Sequence, residues 1–324
     1  MHAIIAETAG GPEVLQFLPT NDLSAGPGEL LLETAAVGVN FIETYQRSGL
    51  YPVGYPFTPG AEAAGRVTAV GEGVTGFSVG DRVVTAEGRA TYAERFVVAA
   101  VAAVRVPDSL EEVLTDEAAA ALPLQGLTAH YLSTSAAQPV EGETVLVHAG
   151  AGGVGLLLTQ LLTAREVRVI TTASTAEKRE LSRAAGAVEA LPYEGFSERV
   201  RDLTHGEGVA VVYDGVGKDT FDDSLASLRV RGELVLFGAA SGPVPPFDPQ
   251  RLNAGGSLSV TRPSLVHFLR SAGERSWRYD ELFAGIETGV LDIRVGATFP
   301  LAEAADAHRA LEGRETTGKV VLIP

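Results

Sequence analysis

From Pro123 onward the sequence alternates short, almost wholly apolar runs with stretches of helical spacing, and that alternation confines this part of the chain to few architectures. Thr144–Ala149 reads as a strand and Val154–Ala164 as a helix; Val167–Thr172 is a strand and Ala176–Ala185 a helix. A strand at Val209–Asp214, a helix at Phe221–Leu228 and strands at Glu233–Gly238 and Leu258–Thr261 follow. Strands that are apolar throughout belong to a parallel sheet covered by helices on both faces. The expected class is therefore α/β, a doubly wound parallel sheet of the Rossmann type. The first hundred residues read differently. β-Branched runs at Glu29–Val39, Ala64–Val70, Arg82–Thr85 and Phe96–Val101 are broken by Gly71-Glu72-Gly73, Gly76 and Gly80-Asp81. That pattern predicts a small antiparallel barrel or sandwich. The tail predicts a helix around Tyr279–Thr288, a strand near Ile293–Phe299, a helix at Ala302–Glu312 and a strand at Lys319–Ile323. A chain of 324 residues has room for two domains, each with its own core.

The sharpest local motif is Gly150-Ala151-Gly152-Gly153-Val154-Gly155, which fits G-x-G-x-x-G, follows a predicted strand and opens a predicted helix. Glycines there let the backbone turn tightly and approach a pyrophosphate, while the helix N-terminus turns its N–H groups and positive dipole end toward the anion. The alternative is a glycine-rich turn in a sheet that binds nothing. A site selecting a free ribose 2′-hydroxyl carries Asp or Glu about 20 residues on, at the end of the second strand. Here that strand runs out as Ile170-Thr171-Thr172-Ala173-Ser174, with Lys178 and Arg179 beyond, and Glu166 stands at its opposite end. A hydroxyl with cations suits a 2′-phosphate, so Ser174 and Lys178 point to NADPH over NADH. The alternative is that Lys178 and Arg179 decorate an exposed helix.

Composition excludes several other chemistries. There is no Cys, so disulfides, thiolate–metal sites, iron–sulfur clusters and cysteine nucleophiles are ruled out. A net charge of −16 opposes a nucleic-acid-binding surface. The start, Met1-His2-Ala3-Ile4-Ile5-Ala6-Glu7, lacks the basic and apolar regions of a secretory signal. The longest apolar stretch, Val145–Leu162, is interrupted by His148, Gln160 and the glycines, and is no membrane span. The expected compartment is the cytoplasm.

The stretch Gly60-Ala61-Glu62-Ala63-Ala64-Gly65-Arg66-Val67-Thr68-Ala69-Val70-Gly71 resembles the zinc alcohol dehydrogenase signature, with Ala61 where the zinc-binding His belongs. Alanine has no lone pair to offer. The six histidines (2, 130, 148, 205, 267 and 308) show no i, i+4 pairing, so no metal is expected. Further stretches widen the match: Gly10-Gly11-Pro12-Glu13-Val14-Leu15, Gly38-Val39-Asn40 through Tyr45-Gln46-Arg47-Ser48-Gly49-Leu50-Tyr51-Pro52, and Gly126-Leu127-Thr128. Val212-Tyr213-Asp214-Gly215-Val216-Gly217, Val260-Thr261-Arg262-Pro263-Ser264-Leu265 and the tail Leu322-Ile323-Pro324 continue it. Together these resemble the zinc-free branch of the medium-chain dehydrogenase/reductase superfamily, within it the NADPH:quinone oxidoreductase and zeta-crystallin group.

The resemblance implies a discontinuous, GroES-like catalytic domain of residues 1–122 and 263–324 around an NADPH-binding domain of residues 123–262, with the active site in the cleft. Carried over by position, it implies Asn40 and Thr128 at the nicotinamide end and Tyr45 facing the substrate. It places Ser174, Lys178, Tyr193 and Arg314 round the 2′-phosphate. Gly215, Val216, Phe237 and Gly238 would join Gly150, Gly152, Gly153, Val154 and Gly155 along the cofactor. One departure is Ala239, where relatives often carry a polar residue. The implied reaction is hydride transfer from NADPH to a quinone, with Tyr45 and Asn40 hydrogen-bonding the developing oxyanion. The bland readings are a packed Tyr45 and a turn-forming Asn40. The alternatives are reduction of an enone or enoyl double bond, and a non-enzymatic NADPH-binding structural or sensor protein. Expected partners are a small quinone or enone and a second copy of the chain, joined near Leu258–Thr261.

Overall fold

In the computed structural model, which describes residues 1–324, the chain divides into two compact units, residues 1–125 with 293–324 and residues 126–292. The first begins with β1 (His2–Ile5) and β2 (Gln16–Pro19), paired antiparallel. Then come β3 (Glu29–Val39), helix α1 (Phe41–Arg47), β4 (Ala63–Val70), β5 (Arg82–Thr85), β6 (Arg95–Ala99), β7 (Val104–Arg105) and helix α2 (Asp116–Ala121). Helix α3 (Pro123–Tyr131) leads into the second unit.

That unit holds β8 (Thr144–Val147), α4 (Gly153–Thr163), β9 (Arg168–Thr172), α5 (Ala176–Ala184), β10 (Glu189–Leu191) and α6 (Phe196–Leu203). It continues with β11 (Val209–Asp214), α7 (Phe221–Ser227), β12 (Leu228–Leu236), α8 (Gln250–Ala254), β13 (Ser259–Thr261) and α9 (Ala272–Glu287). The chain returns to the first unit as β14 (Val295–Pro300), α10 (Ala304–Glu312) and β15 (Lys319–Ile323).

The first unit is built on a seven-stranded sheet in the order β14-β15-β3-β4-β5-β7, with β6 also on β3. Its pairings are antiparallel except β14 with β15, which the α10 crossover makes parallel. Leu30, Leu32, Val37, Val67, Val83, Phe96, Val320 and Leu322 fill its core. Two registers position the chemistry. Val320 lies opposite Val39, which brings Lys319 beside Asn40, and Val37 lies opposite Ala63, which brings Glu62 beside Gly38.

The second unit is a six-stranded parallel sheet in the order β10-β9-β8-β11-β12-β13, the doubly wound arrangement. Its central strands are buried as the apolar runs require; β11 is buried at every residue. The order reverses at β8, so the ends of β8 and β11 form the switch point at which such sheets bind ligands.

The division between units differs from the expected one. The second boundary falls at Asp292/Ile293, not 262/263. Residues 263–292 go with the second unit because Arg278 on α9 is buried there, donating to Phe268 O and contacting His130 Nδ1, while Tyr131 stacks on Phe268 at 4.4 Å. Helix α9 also starts seven residues before the expected Tyr279, because the Ser271 hydroxyl accepts the Glu274 N–H and caps it.

Candidate functional site

In the second unit β8 ends at Val147, and Ala149 takes a left-handed φ of 53° to start the glycine-rich turn. Gly150 N donates to Thr172 O at 2.9 Å and Gly152 N to Ala149 O at 2.8 Å. The first bond of the α4 ladder is Leu156 N to Gly152 O, so the N–H groups of Gly153, Val154 and Gly155 precede it at the helix N-terminus. Two of the glycines answer to the protein itself. A Cβ on Gly150 would lie 2.6 Å from Thr171 Cβ, and one on Gly155 would lie 2.3 Å from Ala149 O. Gly152 is different: its Cβ would meet only Ala149 O, at 3.2 Å. Apart from that carbonyl and the adjoining residues no atom of the chain lies within 4 Å of the position, an opening that fits a pyrophosphate laid against the backbone.

The other cofactor candidates of this unit divide into four places. Ser174 is exposed beyond β9, and Lys178 lies in the first turn of α5, where Thr175 accepts its N–H. The nearby Glu177 carboxyl is held below the usual range by a backbone N–H and by Thr175. The Tyr193 hydroxyl accepts the Ala149 N–H at 3.2 Å, which sets it at the mouth of the glycine turn. Gly215, Val216, Phe237 and Gly238 are brought together at the ends of β11 and β12. Phe237 N and Gly238 N both donate to Asp214 O, and a Cβ on Gly238 would lie 2.4 Å from Gly215 O. Thr128 is buried on α3.

Tyr45, Asn40 and Arg314 belong to the first unit. Tyr45 is half-buried on α1, with the rings of Phe41 and Tyr51 at 6.3 and 5.3 Å. Exposed Ile42 and Leu50 flank this aromatic group. Two residues on, Arg47 is buried and anchors the helix: it forms an ion pair with Glu312 at 2.8 Å and donates to Gly10 O at 3.1 Å. It also faces His308 Nδ1 at 3.3 Å, and burial together with that guanidinium pushes the imidazole down to about 3. Arg314 is exposed in the turn after α10 with φ 57°.

Asn40 does not present its amide outward as an oxyanion donor. It is buried, its Nδ2 donates to Glu62 Oε2 at 2.9 Å, and its Oδ1 accepts from Lys319 Nζ. Lys319 also pairs with Glu62, whose other oxygen accepts the Leu124 N–H at 2.6 Å. Glu43 completes the group by accepting the Asn40 N–H, while its Oε1 is buried without a partner. Burial, reinforced by Glu62 and opposed by Lys319, pushes the Glu43 carboxyl up to about 8, so it carries a proton at neutral pH. One ammonium, one carboxylate and one neutral acid leave the pocket without net charge. Nothing in local spacing marks this cluster, since Lys319 is 257 residues from Glu62. The available signal was a lysine opening the apolar strand Lys319-Val320-Val321-Leu322-Ile323 in a chain with only three lysines.

Residues 153–279 match the zinc-binding dehydrogenase family, and residues 26–141 match the alcohol dehydrogenase GroES-like domain family. The chain is 46% identical over 319 residues, 97% of each protein, to a quinone oxidoreductase of Pseudomonas aeruginosa. It is 40% identical over 330 residues to a 2-haloacrylate reductase of a Burkholderia species, covering 99% of this chain and 98% of the relative. Among solved structures, a mycobacterial protein complexed with NADPH superposes over 100% of both chains with a TM-score of 0.96 and 55% identity.

Proposed function

The chain belongs to the quinone oxidoreductase group of the medium-chain dehydrogenases/reductases, and from that premise we propose that it is an NADPH-dependent quinone oxidoreductase working without a metal. The observation that carries the coenzyme half is the glycine turn, with space beside Gly152 that the fold does not fill. NADPH, when bound, supplies the hydride that converts a quinone to its hydroquinone once a proton is added. The chain's own share is binding, orientation and charge stabilisation. The N–H groups at the start of α4 take the pyrophosphate, and Ser174, Lys178, Tyr193 and Arg314 are the candidates for the adenosine phosphate. The Tyr45 hydroxyl donates to the developing oxyanion, and Phe41 and Tyr51 offer ring faces and edges to a flat acceptor. Asn40, its amide held by Lys319 and Glu62, fixes the start of the helix that carries Tyr45. Ala61 stands where the signature's histidine would be, so activation falls to geometry and hydrogen bonds.

The test is NADPH oxidation with chelator present, comparing kcat/KM for 1,4-benzoquinone, an α,β-unsaturated ketone and a 2-haloacrylate. Benzoquinone is expected to lead, and Tyr45→Phe is expected to lower kcat on the order of 100-fold. The 40% identity to a 2-haloacrylate reductase favours carbon–carbon double-bond reduction as the second reading, and a haloacrylate or enone preference would put it first. For the coenzyme, Lys178→Ala is expected to weaken NADPH binding about tenfold and NADH binding less than twofold, because only NADPH has the phosphate to lose. Equal losses would remove Lys178 from that role.

The assembly proposed is a cytoplasmic homodimer joined through β13, one of the two edge strands of the parallel sheet, whose outer backbone groups have no strand beside them in the protomer. A monomer in sedimentation equilibrium at assay concentration would remove it.

A further inference from the structure

At the ends of β8, β9 and β11 lies a buried chain of hydrogen bonds that the reaction described above does not use. Val147 on β8 is opposite Thr171 on β9 and Tyr213 on β11, so the next residues, His148, Thr172 and Asp214, fall side by side where the three strands end. His148 Nδ1 lies 2.7 Å from Thr172 Oγ1, and its Nε2 lies 2.9 Å from Ser224 Oγ on α7. Ser224 Oγ in turn lies 2.9 Å from Asp214 Oδ2, which also receives the Thr220 hydroxyl at 2.7 Å. The other oxygen, Oδ1, accepts the N–H groups of Val216 and Gly217 at 2.8 and 2.9 Å. Every one of these side chains is buried.

The chemistry fixes the direction of the chain. An ionised carboxylate only accepts, so Ser224 spends its single proton on Asp214. Ser224 must then accept from His148, which puts the ring proton on Nε2. Nδ1 is left as an acceptor for the Thr172 hydroxyl. Burial disfavours the charged imidazole, with Asp214 and Asp223 acting the other way.

We propose that Thr172, His148, Ser224 and Asp214 form a positioning relay for the coenzyme, locking the glycine turn after β8 to the Gly215–Gly217 loop after β11. This rests on the reading of those two loops as the coenzyme seat. Each end of the relay grips one of them. Thr172 holds Gly150 through its carbonyl, His148 stands two residues before that glycine, and Asp214 holds the 215–217 loop by two N–H groups. A loop moved by even part of an ångström would misplace the bound coenzyme.

Thr172→Val removes the hydroxyl at constant shape, and Thr172→Ser keeps it. Coenzyme dissociation constants would be read from NADPH fluorescence, and the His148 tautomer from nitrogen-15 spectra of the full chain without coenzyme. The expected results are an Nε2–H tautomer in the parent, about tenfold weaker NADPH binding in Thr172→Val, and less than twofold change in Thr172→Ser. Ser224→Ala, at the other end, is expected to match Thr172→Val should the latter fail to fold. A parent His148 protonated on Nδ1 alone overturns the relay. So does a variant that melts earlier yet binds NADPH like the parent, which is what a merely structural role predicts. A parent that binds no NADPH overturns the coenzyme reading and the positioning role with it. That result is distinguishable, because failure of the relay alone leaves parental binding intact.

Discussion

Lys319→Met is expected to lower the stability of the protein by about 3–5 kcal/mol, the cost of breaking a buried ion pair from one side. Lys319 is 1% exposed and Glu62 0%. The ammonium is the cation paired with that carboxylate, and it also holds the Asn40 amide oxygen. Methionine fills the volume but leaves Glu62 ionised with only the Asn40 amide and the Leu124 N–H, or obliges it to take up a proton. Glu43, already protonated, cannot relieve it. The measurement is the urea midpoint at neutral pH, and the control is the double variant Lys319→Met/Glu62→Gln. Removing both charges should recover much of the loss, since the penalty lies in the orphaned carboxylate and not in the missing attraction. A single variant within about 1 kcal/mol of the parent, in the range of an exposed pair, would show that water reaches this cluster.

That cluster marks where the sequence stops being legible. The doubly wound sheet can be read because its strands are almost wholly apolar runs and its glycine turn has a fixed spacing; both are local signals. The short β10 and the helix α6 escape the same reading. Three residues give no period, and Phe196-Ser197-Glu198-Arg199-Val200-Arg201-Asp202-Leu203 buries only Phe196, Ser197 and Val200. Helix α1 also escapes it: the capping pair of Asn40 and Glu43, whose glutamate accepts the Asn40 N–H, shows in the structure. The role of Asn40 was the harder case. Its place in the motif suggested an outward donor, whereas the partners that turn its amide inward come from β4 and β15 and are joined to it only by sheet register. The histidine relay is hidden for the same reason. His148, Thr172 and Asp214 become neighbours only when three parallel strands end level.

Gly155→Ala is expected to cost both folding and coenzyme, with NADPH binding weakened at least on the order of 100-fold, about 2.7 kcal/mol. Alanine normally favours a helix over glycine by about 1 kcal/mol, so propensity alone predicts a gain. Space decides otherwise. The added carbon would lie 2.3 Å from Ala149 O and 2.9 Å from Gly150 Cα, and both are backbone atoms. The turn cannot retreat, because Tyr193 holds Ala149 N and Thr172 O holds Gly150 N. Nor can α4, because Leu156, Leu157, Leu158, Leu161 and Leu162 are buried behind it. Overpacking of this kind costs about 1–3 kcal/mol, which exceeds the propensity gain. Gly152→Ala separates the two effects. Its new carbon would meet only Ala149 O at 3.2 Å, so the fold should hold to within about 1 kcal/mol. On the proposed reading the same methyl group stands where the pyrophosphate would approach, so NADPH binding should fall as far as in Gly155→Ala. Thermal melts and NADPH fluorescence titrations on the two variants read the two losses independently. If Gly152→Ala binds NADPH as the parent does, the pyrophosphate does not lie against this turn, and the coenzyme must be sought elsewhere along the sheet.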